Sequence, residues 1–247
     1  MRANILRQAI VVSDLPDTTL LKRFNSHFNT VPADTMERLR VAQRIRYQVY
    51  CVEHPYEKSD SPDGFETDEF DSYAAHNLLI HRATDAALGT VRLILPRANE
   101  LDRSFPVQRA MDESSLTVFN RLPLHSTAEV SRFSISREFR RILDTSDRLE
   151  DAAFIRNSGP LMRLGLMQAI VRRSMEHGIT HWSAAMEPTF IRMFAAMAMR
   201  FQPVGPLFDY HGLRQACYCV IADVLNAVRR ERPAFWSVLT DGGALCD

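Results

Sequence analysis

The segment Leu88-Gly89-Thr90-Val91-Arg92-Leu93-Ile94-Leu95-Pro96 carries the strand pattern that decides the fold of this 247-residue chain. Apolar residues alternate at Val91, Leu93 and Leu95, and Pro96 then ends the pattern, which predicts a β-strand. Residues 75–82 are apolar at their centre, and 83–87 have the composition of a hairpin turn. The two strands are therefore expected to be neighbours in a sheet.

Further elements lie on both sides of this hairpin. Asp34 is expected to cap a helix that runs to about Tyr50, with Glu37 at the spacing of a capping box. After the hairpin we predict an irregular stretch at 97–127, strands at 128–136, 180–186, 205–207 and 216–222, and helices at 159–177, 188–200 and 223–232. This order predicts one α/β (α+β) domain with a central mixed sheet flanked by helices. We assign 33–247 to the domain and 1–32 to an N-terminal arm.

The overall composition excludes several classes of protein. Lys plus Arg equals Asp plus Glu, 30 against 30, whereas nucleic-acid binding needs a basic surplus. The sequence has no apolar run near the roughly 20 residues of a membrane span, and residues 9–12 are too short an apolar core for a signal peptide. We therefore expect a cytoplasmic protein without an integral membrane segment and without nucleic acid as a partner.

Metal and redox chemistry have weak support in the sequence. His125, His181 and His211 lack the spacing of metal ligands, so we predict no metal site. The four cysteines have no CxxC spacing. Cys217 and Cys219 lie two apart, so that on a strand they would share a face; they are either packing residues or a metal or redox pair.

An acidic segment follows the first helix. Residues 53–71 contain eight carboxylates and one lysine, Lys58, and are interrupted by Pro55, Pro62 and Gly64. The segment is either a solvated loop or a wall that attracts a cationic substrate.

Four short stretches together carry a family resemblance. They are Arg46-Tyr47-Gln48-Val49-Tyr50, Glu66-Thr67-Asp68-Glu69-Phe70-Asp71, Gly89 to Pro96, and Glu129-Val130-Ser131-Arg132-Phe133. In this order and spacing, the chain over about 34–222 resembles the acyl-homoserine lactone synthases. It looks still closer to the N-acyl amino acid synthases and the exosortase-associated acyltransferases, because of Gly178 to Trp182, Met186-Glu187-Pro188, Gly205-Pro206 and Tyr210-His211-Gly212.

The resemblance implies a GNAT-like acyl-CoA N-acyltransferase fold and an acyl group supplied by acyl carrier protein as a phosphopantetheine thioester, with no bound cofactor. The charged positions that match the family are Arg46, Asp68, Asp71 and Arg92, expected at the substrate, and Glu129 and Arg132, expected at the catalytic centre.

Two departures narrow the substrates. The lactone synthases usually carry a tryptophan where this chain has His54-Pro55-Tyr56, in the region that holds S-adenosylmethionine. This favours another amine. The chain also lacks the Arg-x-x-Gly-x-Gly loop that cradles the coenzyme A pyrophosphate, which a carrier-bound donor does not need.

The residue chemistry agrees with acyl transfer. Aminolysis of a thioester needs a base for the amine proton and donors for the oxyanion. Glu129 on its strand is either this base or an ion-pair partner of Arg46, Arg92 or Arg132. Asp68 and Asp71 either form a buried ion network or recognise the amine. Ser131 lacks the Gly-x-Ser-x-Gly elbow of a nucleophile, and we expect backbone N–H groups after Glu129 to bind the oxyanion.

Two further groups are candidates for binding the donor. Arg137, Arg140 and Arg141, with Arg172 and Arg173 as additional candidates, form a basic cluster that would attract an acidic carrier protein. Met186, Met193, Met197 and Met199 are either an acyl-chain tunnel or ordinary core.

The sequence therefore predicts an acyltransferase that moves a fatty acyl group from acyl carrier protein to an amino acid or a similar small amine. The alternatives are an acyl-homoserine lactone (autoinducer) synthase that uses S-adenosylmethionine, and a non-catalytic acyl-binding module.

Overall fold

A seven-stranded mixed sheet organises the chain in a computed structural model, which describes residues 17–54, 63–138, 158–210 and 212–246. The strands follow the order β1-β2-β3-β4-β5-β7-β6. Their bounds are β1 Phe28–Pro32, β2 Ala74–His81, β3 Ala86–Ile94, β4 Thr127–Ile135, β5 His181–Met186, β6 Gln202–Asp209 and β7 Leu213–Val220. Strands β4 and β5 are parallel, and the other neighbouring pairs are antiparallel.

Helices cover both faces of the sheet. They are α1 Asp17–His27, α2 Met36–Tyr47, α3 Pro106–Ala110, α4 Glu113–Phe119, α5 Gly159–Glu176, α6 Pro188–Ala196, α7 Ile221–Glu231 and α8 Pro233–Leu239. A π-helix, Gln48–Glu53, continues α2, and short 3₁₀ turns include Glu69–Tyr73. Among the helices that the structure describes, none combines the length and the hydropathy that a membrane span requires.

The main core lies between the sheet and α5, whose residues are buried along most of its length. Gly165 lets this helix approach α1 closely, because a Cβ atom there would lie 2.6 Å from the ring of Phe24. A second apolar cluster on the other face includes Ile94, Phe105 and Phe119. It anchors the segment that carries α3 and α4.

The hairpin predicted from the sequence is confirmed as β2 and β3, and the mixed sheet flanked by helices is confirmed as well. Several details differ. Thr35, not Asp34, caps α2 by accepting the N–H of Arg38, while Asp34 pairs with Arg173. Residues 97–127, predicted as irregular, contain α3 and α4, residues 221–222 begin α7 rather than end a strand, and α8 was not predicted.

The predicted N-terminal arm at 1–32 contributes to the sheet. From residue 17 onward it forms α1 and the edge strand β1, and Leu20, Phe24 and Phe28 are buried in the main core. Residues 1–16 of this arm lie outside the described part.

The sheet opens between its two parallel strands. Pairing of β4 with β5 covers Thr127 to Glu129 opposite His181 to Ser183, and no further pair follows. Beyond Glu129, β4 continues alongside β3, whereas β5 continues alongside β7. The strands therefore separate at Glu129 and leave a gap within the sheet.

Candidate active site

A cavity of about 150 Å³ occupies the gap between β4 and β5. Its polar lining contains Glu129, Ser131, Arg132, Glu187, Tyr210 and Arg214. Its apolar lining includes Phe133, Met167, Met186, Phe190, Phe194 and Phe201. The cavity thus combines a few ionisable groups with a long apolar wall, as small-molecule sites do.

Glu129 is a buried carboxyl at the point where the strands separate. Its side chain accepts a hydrogen bond from the backbone N–H of Val107, at 2.9 Å, and no arginine of the described residues forms an ion pair with it. Burial raises the pKa of Glu129 to about 7, although the Val107 hydrogen bond and the charges of Arg92 and Arg132 oppose the rise. A carboxyl with such a pKa can exchange a proton near neutral pH.

A network of buried charges lies behind this part of β4. Arg46, at the end of α2, is fully buried and contacts the carboxylates of Glu66 and Asp71. Burial disfavours the ionised form of Asp71, but Arg46 and Arg92 more than offset this and lower its pKa to about 2. The network is therefore ionised at neutral pH.

Arg92 and Arg132 extend the network to β3 and β4. Arg92 Nη1 lies 2.5 Å from an oxygen of Asp68 and 2.5 Å from an oxygen of Asp71. Arg132 donates to Glu66 at 2.8 Å and to Asp68 at 3.4 Å. Burial opposes ionisation of Glu66 and Asp68 as well, yet the arginines lower the pKa of each. Three arginines and three acids thus fix β3, β4 and the end of α2 relative to one another.

Arg132 lies at an irregularity in β4. Its φ of +52° falls in the left-handed region, and the pairing of β3 with β4 shifts register between Thr90 and Arg92, with one extra residue on β4. This is the geometry of a β-bulge, which leaves a residue out of the ladder. The bulge lies in the wall of the cavity.

The π-helix closes one side of the cavity. Tyr50 lines the cavity and stacks under the Arg132 guanidinium, 5.1 Å from it. Glu53 holds the end of the π-helix against the residues that follow β4, because its carboxylate accepts the Ser136 hydroxyl at 2.8 Å and the Arg137 N–H at 2.9 Å. Burial and these donors act in opposite directions on Glu53, and the donors lower its pKa.

The structure separates the residues predicted from the sequence into two groups. Glu129 and Arg132, predicted for the catalytic centre, line the cavity. Arg46, Asp68, Asp71 and Arg92 do not contribute to the described lining and instead form the buried ion network. Two roles were expected for Asp68 and Asp71, a buried ion network or recognition of the amine, and the fold contains the buried ion network.

The predicted carrier-binding cluster is only partly described. Arg137 is exposed after β4, while Arg140 and Arg141 lie outside the described residues. Arg172 donates to Thr30 on β1, and Arg173 pairs with Asp34 and Glu176. These last two arginines are thus tied to the protein's own acidic and polar groups beside β1.

The remaining candidates are mostly packing residues. Of the four predicted methionines, Met186 lines the cavity, whereas Met197 and Met199 are buried in the core. Cys217 and Cys219 are buried on β7, and burial raises the pKa of both thiols. Among the described residues, no group of three or more His, Cys, Asp or Glu side chains could hold a metal ion.

Sequence reasoning missed several residues of the site. Glu66 lies within the second motif, but the sequence does not distinguish it from the other carboxylates of the acidic segment. Tyr50 was likewise within the first motif. Arg214 follows a motif noted for the resemblance, but no local pattern in the sequence places it at the cavity. The Val107 contact is made by the backbone and leaves no sequence signal.

Comparison with known proteins supports an acyltransferase-type fold. Residues 45–145 match the family described as Acetyltransferase (GNAT) domain, in support of the predicted acyltransferase class. The matched segment contains Arg46, the acidic segment at 53–71, β3, β4 and Glu129. No curated protein matches this sequence.

Solved structures share the fold at low sequence identity. FeeM, an N-acyl amino acid synthase from uncultured soil microbes, is 15% identical with a TM-score of 0.54, over 81% of this chain and 94% of its own. TofI, in a ternary complex with an inhibitor and MTA, is 18% identical with a TM-score of 0.57, over 84% and 99%. BjaI, a CoA-dependent acyl-homoserine lactone synthase, is 20% identical with a TM-score of 0.55, over 87% and 88%. The chain therefore has the GNAT-like fold that the family resemblance implied.

Proposed function

We propose that this protein transfers an acyl group from a thioester of acyl carrier protein to the amine of an amino acid or a similar small amine. The observation that carries the proposal is Glu129: a buried carboxyl with a pKa of about 7, in the wall of a cavity formed where two parallel strands separate.

The proposed reaction is a direct aminolysis. The amine nitrogen attacks the thioester carbonyl, a C–N bond forms and the C–S bond breaks. The amine proton passes to Glu129, directly or through a water molecule, and Glu129 then passes a proton to the thiolate of phosphopantetheine, which leaves as the thiol. A base with a pKa near the working pH suits this step.

The bulge at Arg132 supports the proposal that the oxyanion binds to backbone groups in the cavity wall. A residue outside the ladder frees backbone groups in the cavity wall, and backbone N–H donors that are fixed in place stabilise a developing oxyanion. Arg132 itself is held by Glu66, Asp68 and the Tyr50 ring, so its positive charge stays beside the cavity.

The apolar wall supports an acyl substrate. Phe133, Phe190, Phe194 and Phe201 line the cavity, and the rings of Phe133 and Phe194 pack edge to face. Such a wall binds hydrocarbon through burial of apolar surface.

The test is an acyl-transfer assay with matched donors. Acyl carrier protein and coenzyme A carrying the same acyl chain are each incubated with the enzyme and a panel of amines, and the products are identified by mass spectrometry. We expect N-acyl amino acids and a preference for the carrier-bound donor. Equal catalytic efficiency with both donors would contradict the carrier assignment.

The alternative function is that of an acyl-homoserine lactone synthase. The similarity to BjaI is the reason to test this alternative in the same assay. S-adenosylmethionine is therefore included among the amines, and a lactone product would favour this alternative. Absence of turnover with every donor and amine would favour a non-catalytic acyl-binding module on the same fold.

A further inference from the structure

A second arginine, Arg214, faces the same cavity as Glu129 but belongs to a different strand. Glu129 pairs with Ser183, and Ser183 pairs with Tyr218. Paired residues share a face of a sheet, and so does every second residue along a strand. Ala216 and Arg214 therefore lie on the same face as Glu129, on the far side of the gap between β4 and β5.

Arg214 is a largely buried cation. Its side chain is 12% exposed and lies 3.0 Å from a carboxylate oxygen of Glu187, which precedes α6. Its guanidinium places a positive charge in a cavity with apolar walls. Such a charge favours an anionic group on whatever molecule enters.

One guanidinium can bind two carboxylates at once, and Arg92 of this protein does so with Asp68 and Asp71. The planar fork of donors allows it. Glu187 is half-buried at the cavity wall, so a second carboxylate that enters the cavity would share Arg214 with it. Arg132, in contrast, is held by Glu66 and Asp68 within the buried network.

We propose that Arg214 binds the carboxylate of the acceptor, and that the acceptor is therefore an α-amino acid rather than a simple amine. The proposal rests on the acyl transfer proposed above. An α-amino acid carries its amine and its carboxylate on one carbon. With the carboxylate at Arg214, the amine is directed across the cavity toward Glu129.

The test compares amino acids with their own carboxamides, which keep the amine and the side chain but lose the negative charge. For the wild type we expect a kcat/KM at least tenfold higher for the acid than for the amide. Arg214→Gln should bring that ratio close to 1, a loss of at least about tenfold, as for a hydrogen bond to a charged group. Equal efficiency for acid and amide in the wild type would overturn the proposal without any variant.

Arg200→Gln is the matched control, because Arg200 is an exposed arginine that also pairs with a glutamate, Glu231. It should keep the wild-type ratio. Loss of the preference in Arg200→Gln to the same extent as in Arg214→Gln would overturn the proposal.

A phosphate on the donor is the other anion that Arg214 could bind. The assay is therefore repeated with acyl phosphopantetheine and acyl pantetheine, which differ in that phosphate. If Arg214→Gln changes the preference between these donors and not the preference between acid and amide, the proposal is wrong.

Calorimetric titration of the same acids and amides onto the unreacted enzyme distinguishes this inference from the proposed function. Binding of the acids that Arg214→Gln weakens at least tenfold supports the carboxylate site even where turnover is absent. Turnover of acids and amides alike, with no effect of Arg214→Gln on binding, supports the transferase and refutes the site.

Discussion

The carboxylate of Glu129 accepts the backbone N–H of Val107 at 2.9 Å. This contact joins the point where β4 and β5 separate to the first turn of α3, which the apolar contacts of Phe105 hold against the sheet. One backbone donor fixes the carboxyl in position without supplying a full counter-charge. Glu129 therefore keeps a raised pKa while its geometry is constrained.

Glu129→Gln should lower kcat/KM at least tenfold while the protein stays folded. General-base catalysis supplies about 10²- to 10⁴-fold, and glutamine retains an oxygen that can accept the Val107 N–H. Steady-state kinetics and thermal unfolding check the two parts. Glu231→Gln, at an exposed ion pair, is the control and should be fully active. A folded and fully active Glu129→Gln would show that Glu129 is not the base.

The pH profile of the wild type should report the same carboxyl. Because the base must be deprotonated, kcat/KM should rise with pH and level off above about 7, the pKa of Glu129. The measurement is kcat/KM from pH 5 to 9 for the wild type and for Glu129→Gln. The inflection should vanish in the variant, and an unchanged inflection there would assign it to another group.

The effect of Glu129 on stability should have the opposite pH dependence to its effect on activity. Its pKa in the fold, about 7, exceeds its ordinary value of 4.5, so its contribution to stability is complete below about pH 4.5 and is lost as the pH rises through 7. Relative to the wild type, Glu129→Gln should therefore gain about 3 kcal/mol in free energy of unfolding between pH 4.5 and 8. Urea unfolding of both proteins at the two pH values measures this. If the difference in free energy of unfolding between the two proteins is the same at both pH values, the pKa of Glu129 does not change on folding.

The ion network should matter for stability far more than a surface pair. Arg46→Met removes one of the two arginines that pair with Glu66 and with Asp71, and it leaves the network with three acids and two arginines. Breaking a buried pair in this way costs about 3 to 5 kcal/mol. Arg200→Met, at the exposed pair with Glu231, should cost less than about 1 kcal/mol. Urea unfolding compares the two variants. Similar losses would mean that the network does not stabilise the fold.

Much of the fold could be predicted because it depends on patterns that span many residues. The alternation at Val91, Leu93 and Leu95 and the long apolar helix at 159–177 are both such patterns, and each corresponds to an element in the structure. The helices α3 and α4 have five and seven residues, too few to establish a helical period. Thr35 and Asp34 are both good caps, so sequence alone could not choose between them.

The site was predictable only where its charges lie within motifs. Glu129, Arg132 and the arginine–aspartate network could be identified because they occur in four segments with a recognisable order. Arg214 reaches the cavity through the pairing of β5 with β7, a long-range contact that no local pattern encodes. The Val107 donor is a backbone group, which any residue except proline supplies.

We expect acyl carrier protein to dock beside the end of β4. Arg137 is exposed after β4, and Glu53 holds its backbone beside the cavity wall. Arg140 and Arg141 follow in the sequence, outside the described residues. Acyl carrier proteins are acidic, so a local basic patch should steer them to the strand that bears Glu129.

Arg140→Glu combined with Arg141→Glu should raise the KM for acyl carrier protein relative to the KM for a short acyl pantetheine, because the small donor needs no protein contact. The same charge change on α7, Arg229→Glu with Arg230→Glu, is the matched control at two exposed arginines and should leave that ratio unchanged. Added salt should bring the wild type toward the docking variant, since exposed charges are screened over about 8 Å at physiological ionic strength. If both donors respond alike, or if the α7 variant has the same effect, the carrier docks elsewhere on the protein.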